Sequence, residues 1–189
     1  MRVRAWSTAL LVTASLVAGC GARSVHNAAP SARAVAAALR GSPPILTSLH
    51  GQGNQLLGGG LPAFRARMAA LHGYPVVVNK WASWCGPCQS EFPIFQQASV
   101  KLGRQVAFIG LDAKDGNGSA AAFLHRFPVS YPSYADPNES VSSAFAASTY
   151  FPQTLFFSRR GHRTYVYDHA GPYLSAAALE RDITRYALR

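Results

Sequence analysis

Two periods alternate along this chain. The run YPVVVNKWA, after Gly73, is short, apolar, β-branched and aromatic, and predicts a buried strand. CQSEFPIFQQASVKLG then sets Phe92, Phe95, Ala98 and Leu102 on one helical face and stops at Gly103. QVAFIGLDA is the next strand and GSAAAFLHRF the next helix. PVSYPSYADPNES reads as an irregular connector punctuated by proline, and SVSSAFAAS as a short helix. TLFFS and RTYVYDH are strands joined at Arg159-Arg160-Gly161-His162, a hairpin pattern. SAAALERDITRYALR is a terminal helix, started by Ser175, with Leu179, Ile183 and Tyr186 on one face. The order predicts α/β layers with a parallel portion and an antiparallel edge.

Ahead of this core, PPILTSLHGQGNQLL carries Leu46, Leu49, Leu56 and Leu57 near helical spacing, although Gly51 and Gly53 interrupt it. LPAFRARMAALHG places Phe64, Met68 and Leu71 on one face and closes at Gly73. Residues 21–43 are rich in Ala, Ser, Gly and Arg. They suit a flexible tether with a short helix around Ala32–Leu39. The divisions expected are 1–19 as a leader, 20–43 as a tether and 44–189 as one domain.

The leader follows from its own pattern. MRVR is positively charged, and AWSTALLVTASLVA is apolar and uncharged. A membrane span needs about 20 apolar residues, so this run suits the central region of an export signal. It ends in Val17-Ala18-Gly19-Cys20, which resembles a bacterial lipobox, where cleavage leaves Cys20 to carry lipid. The plainer alternatives are an ordinary signal peptide or an uncleaved anchor. Lipidation implies an extracytoplasmic lipoprotein of the bacterial cell membrane, where disulfides persist. With Cys20 acylated, Cys85 and Cys88 are each other's only free partners among the 3 cysteines.

Charge changes the picture little. The 189 residues carry a net charge of +10, but the basic residues are scattered and form no helix face or basic–aromatic stripe. Nucleic acid is not an expected partner. Surface solvation or attraction to an anionic membrane explains the charge better.

The candidate chemistry lies in ASWCGPCQSEFP, residues 82–93. A c-type haem site needs histidine after the second cysteine, but Gln89 stands there. Structural zinc needs four ligands; there is one cysteine pair, and the 6 histidines lack His-x₃₋₅-His spacing. No metal is expected, and nothing supports a copper-delivery site. An inert disulfide would close too small a loop to stabilise much. Asp112–Asn117 lacks the spacing of a calcium loop.

Redox chemistry has a positive basis. A strand turning into a helix puts Cys85 at the helix N-terminus, where unpaired backbone N–H groups favour the thiolate. Cys88 lies one turn further in and can attack a mixed disulfide to release product. Gly86 permits a tight turn, and Pro87 suits the first helical turn. No cofactor is needed beyond the redox-active Cys85–Cys88 pair.

VVNKWASWCGPCQSEFP resembles the active-site stretch of the TlpA/ResA group of membrane-tethered thiol–disulfide oxidoreductases, in the thioredoxin superfamily. The resemblance runs through FIGLDAKD, PVSYPSYADPNESV and YFPQTLFFSRRG, over roughly residues 74–185. It implies an α/β thioredoxin fold, a central mixed sheet flanked by helices, with a central insert and an N-terminal extension that this sequence writes as helical. It implies that Cys85 attacks and Cys88 resolves, with Trp84, Gly86 and Pro87 in support. Pro152 matches the cis-proline that faces the cysteines; the alternative is a plain turn proline. Glu91 matches a glutamate able to handle the resolving thiol's proton. The alternative is an exposed helix glutamate favoured by the dipole. Pro93 resembles the family's helix-kinking proline.

The departures are specific. Asn79 stands where thioredoxin has a buried acid, Lys80 replaces a usual aromatic, and Phe151 precedes Pro152 where smaller residues are commoner. The function implied is reduction of disulfides in partner proteins with electrons from a membrane donor, with cytochrome c maturation as one setting. A disulfide oxidant or isomerase, and a non-catalytic binding module, are the other readings.

Overall fold

The computed structural model describes residues 30–145, 147, 149–168 and 171–189. The leader and Cys20 lie outside the described residues. Six strands form one mixed sheet in the order β1-β4-β3-β2-β5-β6. They are β1 (Leu56–Leu57), β2 (Val76–Trp81), β3 (Ala107–Ala113), β4 (Ser133–Asp136), β5 (Gln153–Phe157) and β6 (Arg163–Tyr167). β1, β4, β3 and β2 run parallel, whereas β5 runs antiparallel to β2, and β6 to β5. The expected parallel portion and antiparallel edge are both present.

Seven helices flank this sheet among the described residues: α1 (Ala32–Ala38), α2 (Pro44–His50), α3 (Gly60–Ala70), α4 (Gly86–Leu102), α5 (Asn117–Arg126), α6 (Ser140–Ala144) and α7 (Ala176–Asp182). A π-helical turn, Ile183–Ala187, continues α7. Side chains alternate across a strand, so β2 sends Val77 and Trp81 to one core and Val76 and Val78 to the other. Phe92 and Phe95 of α4, Phe123 of α5, and Leu179 and Ile183 fill the first core. Leu46 and Leu49 of α2, Phe64 of α3 and Val141 of α6 fill the second. The result is a helix–sheet–helix sandwich with β2 at its centre, buried along its whole length.

Two local expectations need correction. The helical reading of 44–57 holds only to His50. Asn54 then takes a φ of +63° and turns the chain into β1, which pairs with β4. Within PVSYPSYADPNES, Ser133–Asp136 form β4. Those four residues lack β-branching, and they are a strand because β3 and β1 offer ladders on both sides. The short helix expected around Ala32–Leu39 is present as α1, capped by Ser31 Oγ. The central insert corresponds to the stretch between β3 and β5, which holds α5, β4 and α6.

Candidate active site

β2 ends at Trp81, and the chain makes a short turn through Ser83 and Trp84 before α4 begins. Cys85 is the N-cap of α4, with extended backbone, and its Sγ accepts a hydrogen bond from the Cys88 N–H at 3.1 Å. The thiol sulfur thus stands where a serine or aspartate oxygen commonly caps a helix. Cys85 and Cys88 are joined as a disulfide. Cys85 is 4% exposed and Cys88 fully buried, so what little exposure the pair keeps lies on Cys85. Pro87 occupies the first turn, where its missing N–H removes no intrahelical bond. Gly86 permits the turn without being demanded by it. Its φ lies outside the left-handed region and a Cβ there would meet nothing, so the turn itself does not require glycine.

Two aromatic lips border the disulfide. Trp84 is 57% exposed, and its indole N–H donates to the Lys114 carbonyl at 2.9 Å. Its ring lies 4.9 Å from that of Phe151. The Phe151–Pro152 peptide is cis. Tyr150 beside it is 58% exposed, which extends the aromatic surface. From behind, Asp115 accepts the Ser83 N–H at 2.5 Å and the Gly116 N–H at 2.8 Å, tying the β3–α5 loop to the turn.

Beneath Cys88 lies a buried polar layer. Glu91, one helical turn on, is 1% exposed and accepts the Tyr173 N–H at 3.2 Å. It is not the exposed glutamate of the alternative reading. Asn79 and Tyr131 are buried with it. Burial pushes the Glu91 carboxyl from 4.5 up to about 8, a rise that the Tyr173 N–H and then Asn79 partly offset. The Asn79 amide moderates the carboxyl without a well-formed hydrogen bond. The Tyr131 hydroxyl is pushed far up by burial and then by Glu91. Asp112, at the end of β3, is likewise raised to about 8 by burial and by neighbouring Asp115. Its environment gave no sequence cue beyond an acid inside an apolar strand.

Lys80 finds a partner. Its side chain is fully buried, its Nζ lies 3.0 Å from Glu139 Oε1, and it stands 4.2 Å from the centre of the Phe151 ring. Burial lowers its pKa, and Glu139 opposes the fall. Glu139 also holds Lys114 at 2.9 Å. Among the described residues no cluster of three or more His, Cys, Asp or Glu could hold a metal.

Residues 64–166 match the AhpC/TSA family. The chain belongs to that family. It is 36% identical over 98 residues to a thiol:disulfide interchange protein DsbE homolog of Paracoccus denitrificans, covering 51% of this chain and 50% of that one. Over 98 residues it is 26% identical to the thiol-disulfide oxidoreductase ResA of Bacillus subtilis, covering 51% and 54%. The chain thus spans about half the length of the curated relatives it matches. The structure of MTB DsbF in mixed oxidized and reduced forms superposes with a TM-score of 0.55 at 28% identity, over 61% of this chain and 83% of that one. A secreted Mycobacterium tuberculosis disulfide oxidoreductase, homologous to E. coli DsbE, shares the fold with a TM-score of 0.56 at 20% identity, over 62% and 85%. These neighbours carry the same thioredoxin fold as this AhpC/TSA chain.

Proposed function

We propose that this protein is an exported thiol–disulfide oxidoreductase, anchored by lipid on Cys20, that reduces disulfides in partner proteins. The observation that carries the reading is the disulfide-bonded cysteine pair at the N-terminus of α4, whose preceding Trp84 packs on Phe151, the residue before a cis-proline. In the reduced protein the Cys85 thiolate attacks a partner disulfide, forming a mixed disulfide and releasing one partner thiolate. The Cys88 thiolate then attacks Cys85 Sγ, releasing the second partner thiol and leaving the Cys85–Cys88 disulfide. Two electrons pass to the partner, and a membrane dithiol donor returns two. Glu91 lies one turn from Cys88, and with its pKa raised to about 8 its carboxylate form is basic enough to accept the Cys88 proton as the resolving thiolate forms. Apocytochrome c, whose haem-attachment cysteines must be reduced, is the partner the family resemblance favours.

Equilibration with glutathione buffers tests the direction. Potentials in this fold run from about −270 mV for thioredoxin to about −120 mV for DsbA. A value near the second would replace reduction by oxidation of secreted proteins. Cys85→Ser tests catalysis itself: partner reduction undiminished in that variant would leave only a binding module. Release of the Cys20→Ser protein from membranes is expected, and unchanged retention would remove the lipid anchor.

A further inference from the structure

Five residues from five segments close a ring behind the two lips of the cleft. The Trp84 indole donates to the Lys114 carbonyl at 2.9 Å, and its ring packs 4.9 Å from Phe151. Phe151 receives the Lys80 ammonium at 4.2 Å. Lys80 pairs with Glu139 at 3.0 Å, and Glu139 pairs with Lys114 at 2.9 Å, which completes the circuit. One lip precedes Cys85 and the other precedes Pro152, so the ring joins the segment that leads into the disulfide to the one that leads into the cis-proline.

Stability alone accounts poorly for this arrangement. A fully buried lysine beside Val76 and Val78 gives up its hydration, and an apolar residue there commonly serves stability as well or better. Two ring members, Lys114 at φ +54° and Glu139 at φ +56°, hold the left-handed backbone that non-glycine residues rarely adopt. Such conformations persist where surrounding structure over-determines them, and they gather at functional sites. Here both fall in one circuit whose other members are the lips. The ammonium over Phe151 adds to the ring's packing on Trp84 a cation–π contact strengthened by desolvation.

We propose that Lys80, Glu139 and Lys114 are positioning residues that set the spacing of the Trp84 and Phe151 lips. They thereby favour partner segments with an apolar or aromatic residue beside the target cysteine. The inference rests on the exchange reaction proposed above and adds its substrate preference. The preference follows from the lips' chemistry: Trp84, which precedes Cys85, and Tyr150, which precedes Phe151, are both aromatic and more than half exposed.

The test compares Lys80→Met, Glu139→Gln and Lys114→Met with the unaltered protein on three disulfides. Two are short cyclic peptides with phenylalanine or serine beside the cysteine. The third is hydroxyethyl disulfide, too small to reach both lips. The expected result is a loss of about tenfold in kcat/KM for the phenylalanine peptide, carried by KM, with the preference over serine collapsing. Exchange with hydroxyethyl disulfide and the glutathione equilibrium should stay within about twofold. An equal loss on all three disulfides, or a preference left intact, overturns the proposal. Lys114 is half exposed, so its variant carries the test if Lys80→Met does not fold. A wild-type protein inert towards every disulfide would remove the exchange reaction itself, a different outcome from a lost preference.

Discussion

The Cys88 backbone N–H donates to Cys85 Sγ at 3.1 Å, so the amide of the third residue of α4 is aimed at the sulfur of its N-cap cysteine. In the reduced protein this amide and the 17-residue helix behind it both favour a thiolate on Cys85. Cys88, fully buried, has neither the exposure nor the place at the helix end. The Cys85 thiol is therefore expected to ionise below the ordinary value of about 8.5. Iodoacetamide labelling of the reduced protein across pH checks this, with the modified cysteine identified by mass spectrometry. Cys85 should label first, with a midpoint below that value. Equal labelling of both cysteines would contradict the asymmetry.

Gly110 sits where β3 passes between β2 and β4, opposite Asn79 and Ser133. A Cβ there would collide with Ser133 Oγ and come within 2.9 Å of Trp81 Nε1. Those two atoms form the buried 3.2 Å hydrogen bond between Trp81 and Ser133. Gly110→Ala is expected to lower stability by about 1–3 kcal/mol through overpacking and strain on that bond. Urea denaturation measures it. A midpoint unchanged from wild type would mean that the strands separate freely enough to admit a methyl group.

The N-terminal helices are joined to the domain at Gly103. The His50 ring is 2.9 Å from the Gly103 carbonyl oxygen. A Cβ at Gly103 would meet Leu39 at 2.7 Å and His50 at 3.0 Å, besides the Ser99 carbonyl oxygen. Gly103→Ala is expected to displace the chain around Leu39 and to raise protease cleavage between residues 30 and 43, with a stability loss of about 1–2 kcal/mol. Limited proteolysis separates this from general loosening. Cleavage spread over the whole chain would show that the contact is not local.

The sheet's centre was legible because Val76–Val78 and Ala107–Leu111 are short apolar runs ended by turn residues. The helix after them repeats Phe92, Phe95 and Ala98 at helical spacing. β4 was not legible, because Ser133–Asp136 owes its extension to ladders on both sides and not to its own residues. Lys80 looked anomalous for the same reason. Its partner Glu139 lies 59 residues away, and only the fold brings the two together. Glu91 was recognised by position, yet its burial depends on the chain at Tyr173, 82 residues on. The cysteines were legible because their chemistry is set locally, by a strand, a turn and a helix end.

Glu91 makes the pH dependence testable. Its carboxyl, ordinarily at 4.5, is raised to about 8 by burial in the folded protein. Between those values the folded chain keeps a proton that the unfolded chain has released, so stability falls as pH rises. The loss is complete above about pH 8, and below about 4.5 both states are protonated and the effect vanishes. Glu91→Gln keeps the acceptor for the Tyr173 N–H and removes the charge. The variant should match wild type at pH 4 and exceed it at pH 9 by a margin on the order of a few kcal/mol. Asp112 is raised to a similar value, so some slope should persist until Asp112→Asn is added. Urea titrations at pH 4, 7 and 9 read this directly. Exchange kinetics read the proton relay: Glu91→Gln should slow release of the mixed disulfide and flatten its pH profile, while first attack by Cys85 is spared. A variant with the wild-type stability slope and an unaltered release profile would exclude Glu91 as the group that holds the Cys88 proton.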